Sequence, residues 1–133
     1  MIWNRRDVTT WASKHFRAKE FECQCGVCAR QVMDDKLIAM LDEVRELVGL
    51  PIKVTSGFRC ANRQDALRKQ GLETTAGKSS HENGMAADLA CADMAALEKA
   101  CLEVFADRSV GIARTFIHVD TRQGVKPRRW RYK

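Results

Sequence analysis

Histidine is scarce in this chain, with three in 133 residues, so each one invites an explanation. Long apolar runs are missing too. None approaches the ~20 residues of a membrane-spanning helix, which excludes a helical membrane span. The N-terminal stretch "MIWNRRDVTTWASKHF" has basic residues but no apolar core. It does not read as a secretory signal, so delivery by another factor is expected if the protein acts outside a cell. Internal repeats, low-complexity tracts and linker-like segments are lacking as well, and the pattern predicts one domain over 1–133. Hydrophobic residues at 45% and charged residues at 30% are ordinary for a soluble globular protein with a real core.

What is present is less even. The formal charge is +6, and the tail at 126–133, "KPRRWRYK", holds Lys126, Arg128, Arg129, Arg131 and Lys133 with no acid among them. Such a run suits nucleic acid, anionic lipid or anionic cell-wall polymer, or is simply a solvated terminus. Trp130 within it is expected to pack on something. Six cysteines are many for this length. Cys101 repeats with Leu97, Val104 and Phe105 at helical spacing and reads as a small buried hydrophobe. Cys23, Cys25 and Cys28 cluster in an N-terminal arm over 1–33. With Cys60 they can be read as a structural zinc site, although C-x-C-x-x-C is not the usual paired spacing; disulfides or unbound thiols are the alternatives.

The periodicity predicts a helix from Asp34, through Leu37, Leu41, Val44 and Val48, with Met40 and Leu47 widening the stripe and "GLP" at 49–51 ending it. "IKVTS" (52–56) reads as a strand, 62–71 as a short polar helix and 72–80 as a loop. "GMAADLA" is a strand candidate, 93–106 a helix capped by Asp93, and "SVGIA" and "TFIHVDT" two closing strands. A short helix is expected within 1–22. The order argues for an α+β domain, a small and mostly antiparallel sheet with helices packed on it.

Two of the histidines stand near carboxylates. In "FIHVD", His118 and Asp120 are two apart on a strand and share a face, with Ile117 and Val119 on the other. Asp88 interrupts the apolar "MAADLA", and a carboxylate buried in a strand is costly unless paired or coordinated. His81, Asp88 and His118 form a set suited to zinc with one position open; an ordinary buried Asp–Arg pair is the alternative. His15, among Lys14, Phe16 and Arg17, reads as a surface or packing residue.

"SSHENGMAAD" fits S-x-H-x-x-G-x-A-x-D, with Ser79, His81, Gly84, Ala86 and Asp88 in register. Together with "TSGFRC" upstream and "FIHVDT" downstream, this resembles the zinc D-Ala-D-Ala carboxypeptidase family, metallopeptidases that include D,D-dipeptidases, murein endopeptidases and phage endolysins. The resemblance implies a hedgehog/D-Ala-D-Ala-peptidase-like fold, with His81, Asp88 and His118 as zinc ligands. It makes Arg59 the cation on the scissile carbonyl or oxyanion. It further implies a peptidase acting on peptidoglycan stem peptides, a D,D-carboxypeptidase or murein endopeptidase. A compact single domain without a leader makes a phage or prophage lysin, or a tail-associated hydrolase, the expected setting, and a monomer is the expected state. Ser79 is either a substrate contact or a turn residue.

One departure stands out. Many members carry an acid two or three residues before the last histidine, where this chain has Phe116 and Thr115, preceded by Arg114. Asp120 is the substitute general base, or else a residue that orients a histidine, and Glu82 is a second candidate base. A non-catalytic zinc module of the same fold and a basic nucleic-acid-binding protein are the other classes that the residues leave open.

Overall fold

The computed structural model describes residues 1–61, 63, 80–123 and 126–132. Helix α1, Asp35–Val48, begins where the Asp34 carboxylate accepts from the Lys36 backbone N–H and ends at Gly49, whose left-handed φ of 72° suits a residue without Cβ. Its buried face is Leu37, Ile38, Leu41 and Val44, each worth about 1.5–3 kcal/mol of burial. Leu47 is exposed instead, because at 100° per residue it falls on the flank of that stripe while Ile38 falls within it. Helix α2, Met94–Val104, is capped by Asp93 accepting from the Ala96 N–H, and it buries Leu97, Ala100 and Cys101.

Seven strands are present among the described residues: β1 (Ile2–Asn4), β2 (Arg30–Val32), β3 (Ile52–Ser56), β4 (Ala86–Cys91), β5 (Ser109–Ile112), β6 (Ile117–Asp120) and β7 (Arg129–Arg131). β1 and β2 form a small antiparallel ladder. The other five make a sheet in the order β3-β4-β6-β5-β7, antiparallel except for the parallel β5–β7 edge. This is the expected α+β architecture. Ala87 and Leu89 of β4, Ile117 and Val119 of β6 and Val110 of β5 are buried together with the apolar side of α2 in one core. Helix α2 contacts β4, β5 and β6, and α1 packs on α2. Period-2 alternation therefore sends Asp88, His118 and Asp120 to the sheet face opposite the helices.

The N-terminal arm contributes a single 3-10 turn, Ala18–Phe21, with Phe16, Ala18 and Phe21 buried. β1 and β2 were not expected there; at three residues each they are too short to show a period. The basic tail is the larger surprise. Residues 129–131 are not a solvated terminus but strand β7, and Arg129 Nη2 donates to the Phe105 and Ala106 carbonyls at 2.9 and 3.0 Å, at the C-terminal end of α2. A cation there meets the negative end of the helix. The Arg128, Arg129 and Arg131 side chains remain exposed, while Trp130 is half-buried. Apart from Arg63, the polar helix expected at 62–71 lies outside the described residues, as do Ser79 and most of the loop at 72–80.

Candidate metal and active site

Strand register lines up one residue from each strand of the main sheet. Ser56 pairs with Asp88, Asp88 with His118, His118 with Gly111, and Gly111 with Trp130. His81 reaches the end of this row from outside the sheet. It sits in a 3-10 turn, Ser80–Asn83, closed by Gly84 at φ 68°, and the Gly84 N–H donates to the His81 carbonyl at 3.2 Å. Arg59 follows the β3 end, with its own N–H donating to the same His81 carbonyl at 3.1 Å.

Asp88 is the hub. Its Oδ1 lies 2.9 Å from His118 Nδ1 and 3.4 Å from His81 Nε2, while Oδ2 accepts from Arg59 Nη2 at 3.2 Å. The two imidazoles meet edge to face, with centroids 5.2 Å apart. One donor atom from each of His81, Asp88 and His118 lies within 4.8 Å of the others, and all three residues are buried. The expected three side chains are thus brought together, and the Arg59–Asp88 pair is present alongside them.

The donor set fits a cation. His81 Nδ1 is 2.8 Å from the Gly57 carbonyl, which can only accept, so Nδ1 carries the ring proton and Nε2 presents a lone pair to Asp88 Oδ1. Burial pushes the His81 pKa down, which favours the neutral ring, although Asp88 opposes this. Two acceptors facing each other repel, and a cation between them turns that repulsion into attraction. Two imidazoles with one carboxylate are a zinc-type donor set.

His118 is held from both ends. Opposite the nitrogen that faces Asp88, its Nε2 is 2.9 Å from Asp120 Oδ2, which Arg122 Nη2 also approaches at 3.2 Å. Burial would lower the His118 pKa, but hydrogen bonds to Asp120 and Asp88 outweigh it and raise the value. For Asp88 burial pulls upward, and the charges and hydrogen bonds of the two histidines hold the carboxyl well below its usual range. Asp120 is likewise lowered against burial, by His118 and then Arg122. In Arg59 the planar fork is fixed by donation from Nε to Ser56 Oγ at 2.9 Å as well as by Asp88.

Three aromatic residues flank the site that motif reasoning did not assign to it. The Trp130 ring lies 5.4 Å from His118, Tyr132 lies 6.0 Å from Trp130, and Phe116 lies 5.1 Å from Tyr132. The signals in the sequence were an aromatic inside a basic tail and, from strand alternation, Phe116 on the face of His118. His15 stands apart from the site, 3.4 Å from Glu46 on α1.

The four N-terminal-arm and β3-end cysteines form a second cluster. Cys23, Cys25, Cys28 and Cys60 offer sulfurs that all lie within 4.8 Å of one another. Burial works against it, yet the N–H groups of Cys28 and Val27 hold the Cys25 thiol down at about 6. Cys101 is buried in α2 as expected, and burial pushes its thiol up to about 12.

Fold and site together define an α+β protein with a buried candidate metal centre on the open face of its sheet. The chain belongs to the Peptidase M15 family, whose model matches residues 14–120, and is a zinc D-Ala-D-Ala carboxypeptidase-family domain. The match takes in Arg59, His81, Asp88, His118 and Asp120, and it stops before β7. Membership carries the classes hydrolase and metallopeptidase, and a peptide as substrate. Comparison with curated proteins and with solved structures returned no match.

Proposed function

We propose that this protein is a zinc-dependent peptidase that hydrolyses peptidoglycan stem peptides, as a D,D-carboxypeptidase or murein endopeptidase. The observation that carries the reading is the buried Asp88 carboxylate, with one oxygen towards both histidines and the other on Arg59. His81, Asp88 and His118 would hold the metal. Zinc in such a site supplies Lewis-acid polarisation of a carbonyl and acidifies water towards a pKa of about 7.

The chain's own groups do the rest. Arg59, always charged and fixed by Ser56 and Asp88, binds the scissile carbonyl and stabilises negative charge as it develops there. Asp120 was the expected proton acceptor on the strength of strand alternation alone. With Oδ2 shared between His118 and Arg122 it stands behind the imidazole, so we assign it the task of orienting His118. Glu82, next to His81, has a buried Oε1 with no hydrogen-bond partner among the described residues, and it is assigned the proton of the attacking water. The net charge of +6 and the exposed arginines of β7 favour an anionic cell-wall polymer.

One observation favours a second reading, a non-catalytic zinc module. The two positions at which many members of this family carry an acid hold Phe116 and Thr115 here, and Phe116 packs on Tyr132. Mass spectrometry of murein digested by wild type and by His118→Ala separates the two. New stem-peptide products that vanish in the variant are expected. A folded, zinc-loaded wild type that releases none supports the non-catalytic module and sinks the peptidase.

A further inference from the structure

The cysteine cluster has the dimensions and surroundings of a tetrahedral metal site. A ZnS4 centre with Zn–S bonds of about 2.3 Å has sulfur–sulfur edges of about 3.8 Å, whereas a disulfide holds its sulfurs at about 2.05 Å. Cys23 Sγ and Cys60 Sγ are 3.6 Å apart. The other pairs stay within 4.8 Å, so four sulfurs converge on one point rather than pairing off.

The surrounding donors are aimed at sulfur. Val27 and Cys28 donate backbone N–H groups to Cys25 Sγ at 3.5 and 3.3 Å, and Cys60 donates its N–H to Cys23 Sγ at 3.3 Å. Gln31 Nε2 donates to Cys28 Sγ at 3.4 Å, and its Oε1 accepts from the Cys23 N–H at 2.8 Å. The Cys25–Cys28 turn is a C-x-x-C knuckle that needs Gly26 at φ 78°. Arg5 completes the shell: its guanidinium reaches Cys28 Sγ at 3.4 Å and Cys25 Sγ at 3.9 Å while donating to the Cys23 and Cys28 carbonyls at 2.8 Å. Four thiolates around a divalent cation leave a net charge of −2, and an adjoining guanidinium offsets part of it.

We propose that Cys23, Cys25, Cys28 and Cys60 bind a structural zinc ion, in a site separate from the His81–Asp88–His118 centre. It ties the N-terminal arm to the β3 end 37 residues away, where Cys60 adjoins Arg59. The ion thereby fixes the backbone from which Arg59 reaches Asp88. With all four positions taken by thiolate, this centre has no place for substrate.

The test uses the full chain, purified under reducing conditions, with zinc and cobalt(II) as probes. Elemental analysis is expected to find two zinc ions per wild-type chain, and one in both Cys28→Ser and His118→Ala. Cobalt(II) loading is expected to give thiolate-to-metal charge-transfer bands that persist in His118→Ala and vanish in Cys28→Ser. The wild-type spectrum alone keeps the test decisive should Cys28→Ser fail to fold. Absence of those bands in wild type, whether its cysteines prove to be free thiols or disulfides, overturns the site. Persistence of the bands without murein hydrolysis retains it and counts only against the peptidase reading.

Discussion

The indole of Trp130 occupies the space that a side chain on Gly111 would fill. A Cβ built on Gly111 would come 2.7 Å from the indole Nε1. The missing side chain on β5 is what lets Trp130 of β7 lean across to His118 of β6. Gly111→Ala is expected to expel the ring and cost about 1–3 kcal/mol of overpacking in urea denaturation. In a Trp130→Ala background the same substitution should cost almost nothing, because the space is then vacant. Equal costs in both backgrounds would show that the contact does not matter.

Asp120 and Glu82 are assigned different tasks, and their amide variants separate them. Asp120→Asn is expected to weaken zinc affinity about 10–100-fold, since the carboxylate that orients His118 is lost. Glu82→Gln should keep its zinc and lose about 10²–10⁴-fold in kcat, the range for a positioned proton acceptor. Competition with a chelator reads the first and initial rates on a stem peptide read the second. The reverse pattern would return the base to Asp120.

His118 and Arg122, the partners of Asp120, fix a pH signature in metal-free protein. The folded-state pKa of Asp120 is lowered by His118 and Arg122, so its stabilisation is present above the unfolded value of about 3.9. It is lost as pH falls through the folded value. The stability gap between wild type and Asp120→Asn, measured by thermal melts in chelator, is expected to be open at pH 5 and to narrow below pH 4. A gap that widens on acidification contradicts the ion pair.

Much of this site was legible because the sheet enforces a period of two. An acid in "MAADLA" and another in "FIHVD" stand out against apolar neighbours, and their faces follow from alternation. His81 and Arg59 came from a motif, since a 3-10 turn and a strand end have no period to read. Trp130 stayed hidden for a physical reason. β7 is a parallel edge strand held by β5 and by Arg129 on the carbonyls ending α2, and none of those partners is local in sequence. All four cysteines were named from the sequence, but not their state, because C-x-C-x-x-C is not the usual paired spacing and the fourth sulfur belongs to a different segment.

The glycine of the S-x-H-x-x-G segment has two separable reasons to be glycine. Gly84 has φ 68°, and a Cβ there would also meet the Val32 carbonyl and, at 2.7 Å, the Met33 Cα. Left-handed strain costs an ordinary residue about 1–2 kcal/mol, and overpacking against backbone adds about 1–3 kcal/mol. Gly84→Ala is therefore expected to destabilise by about 2–5 kcal/mol in urea denaturation. Asparagine tolerates the left-handed region, so Gly84→Asn would recover most of the loss if strain were the whole cause. Because backbone lies against the site, little recovery is expected.

Arg59→Lys tests whether the guanidinium acts on substrate or merely neutralises Asp88. Lysine keeps the charge and can still meet Asp88, but a single ammonium cannot also span to Ser56 Oγ and present a planar edge to a carbonyl. If the cation serves only to pair with Asp88, zinc content and turnover should both stay near wild type. If it stabilises the developing oxyanion, zinc content should hold while kcat/KM falls about 10²–10³-fold, as for loss of one preorganised donor. The second outcome is expected, since two of the fork's donors are already anchored by Ser56 and Asp88, which fixes the plane of the rest. Parallel loss of zinc and activity would instead make Arg59 part of the metal site's support.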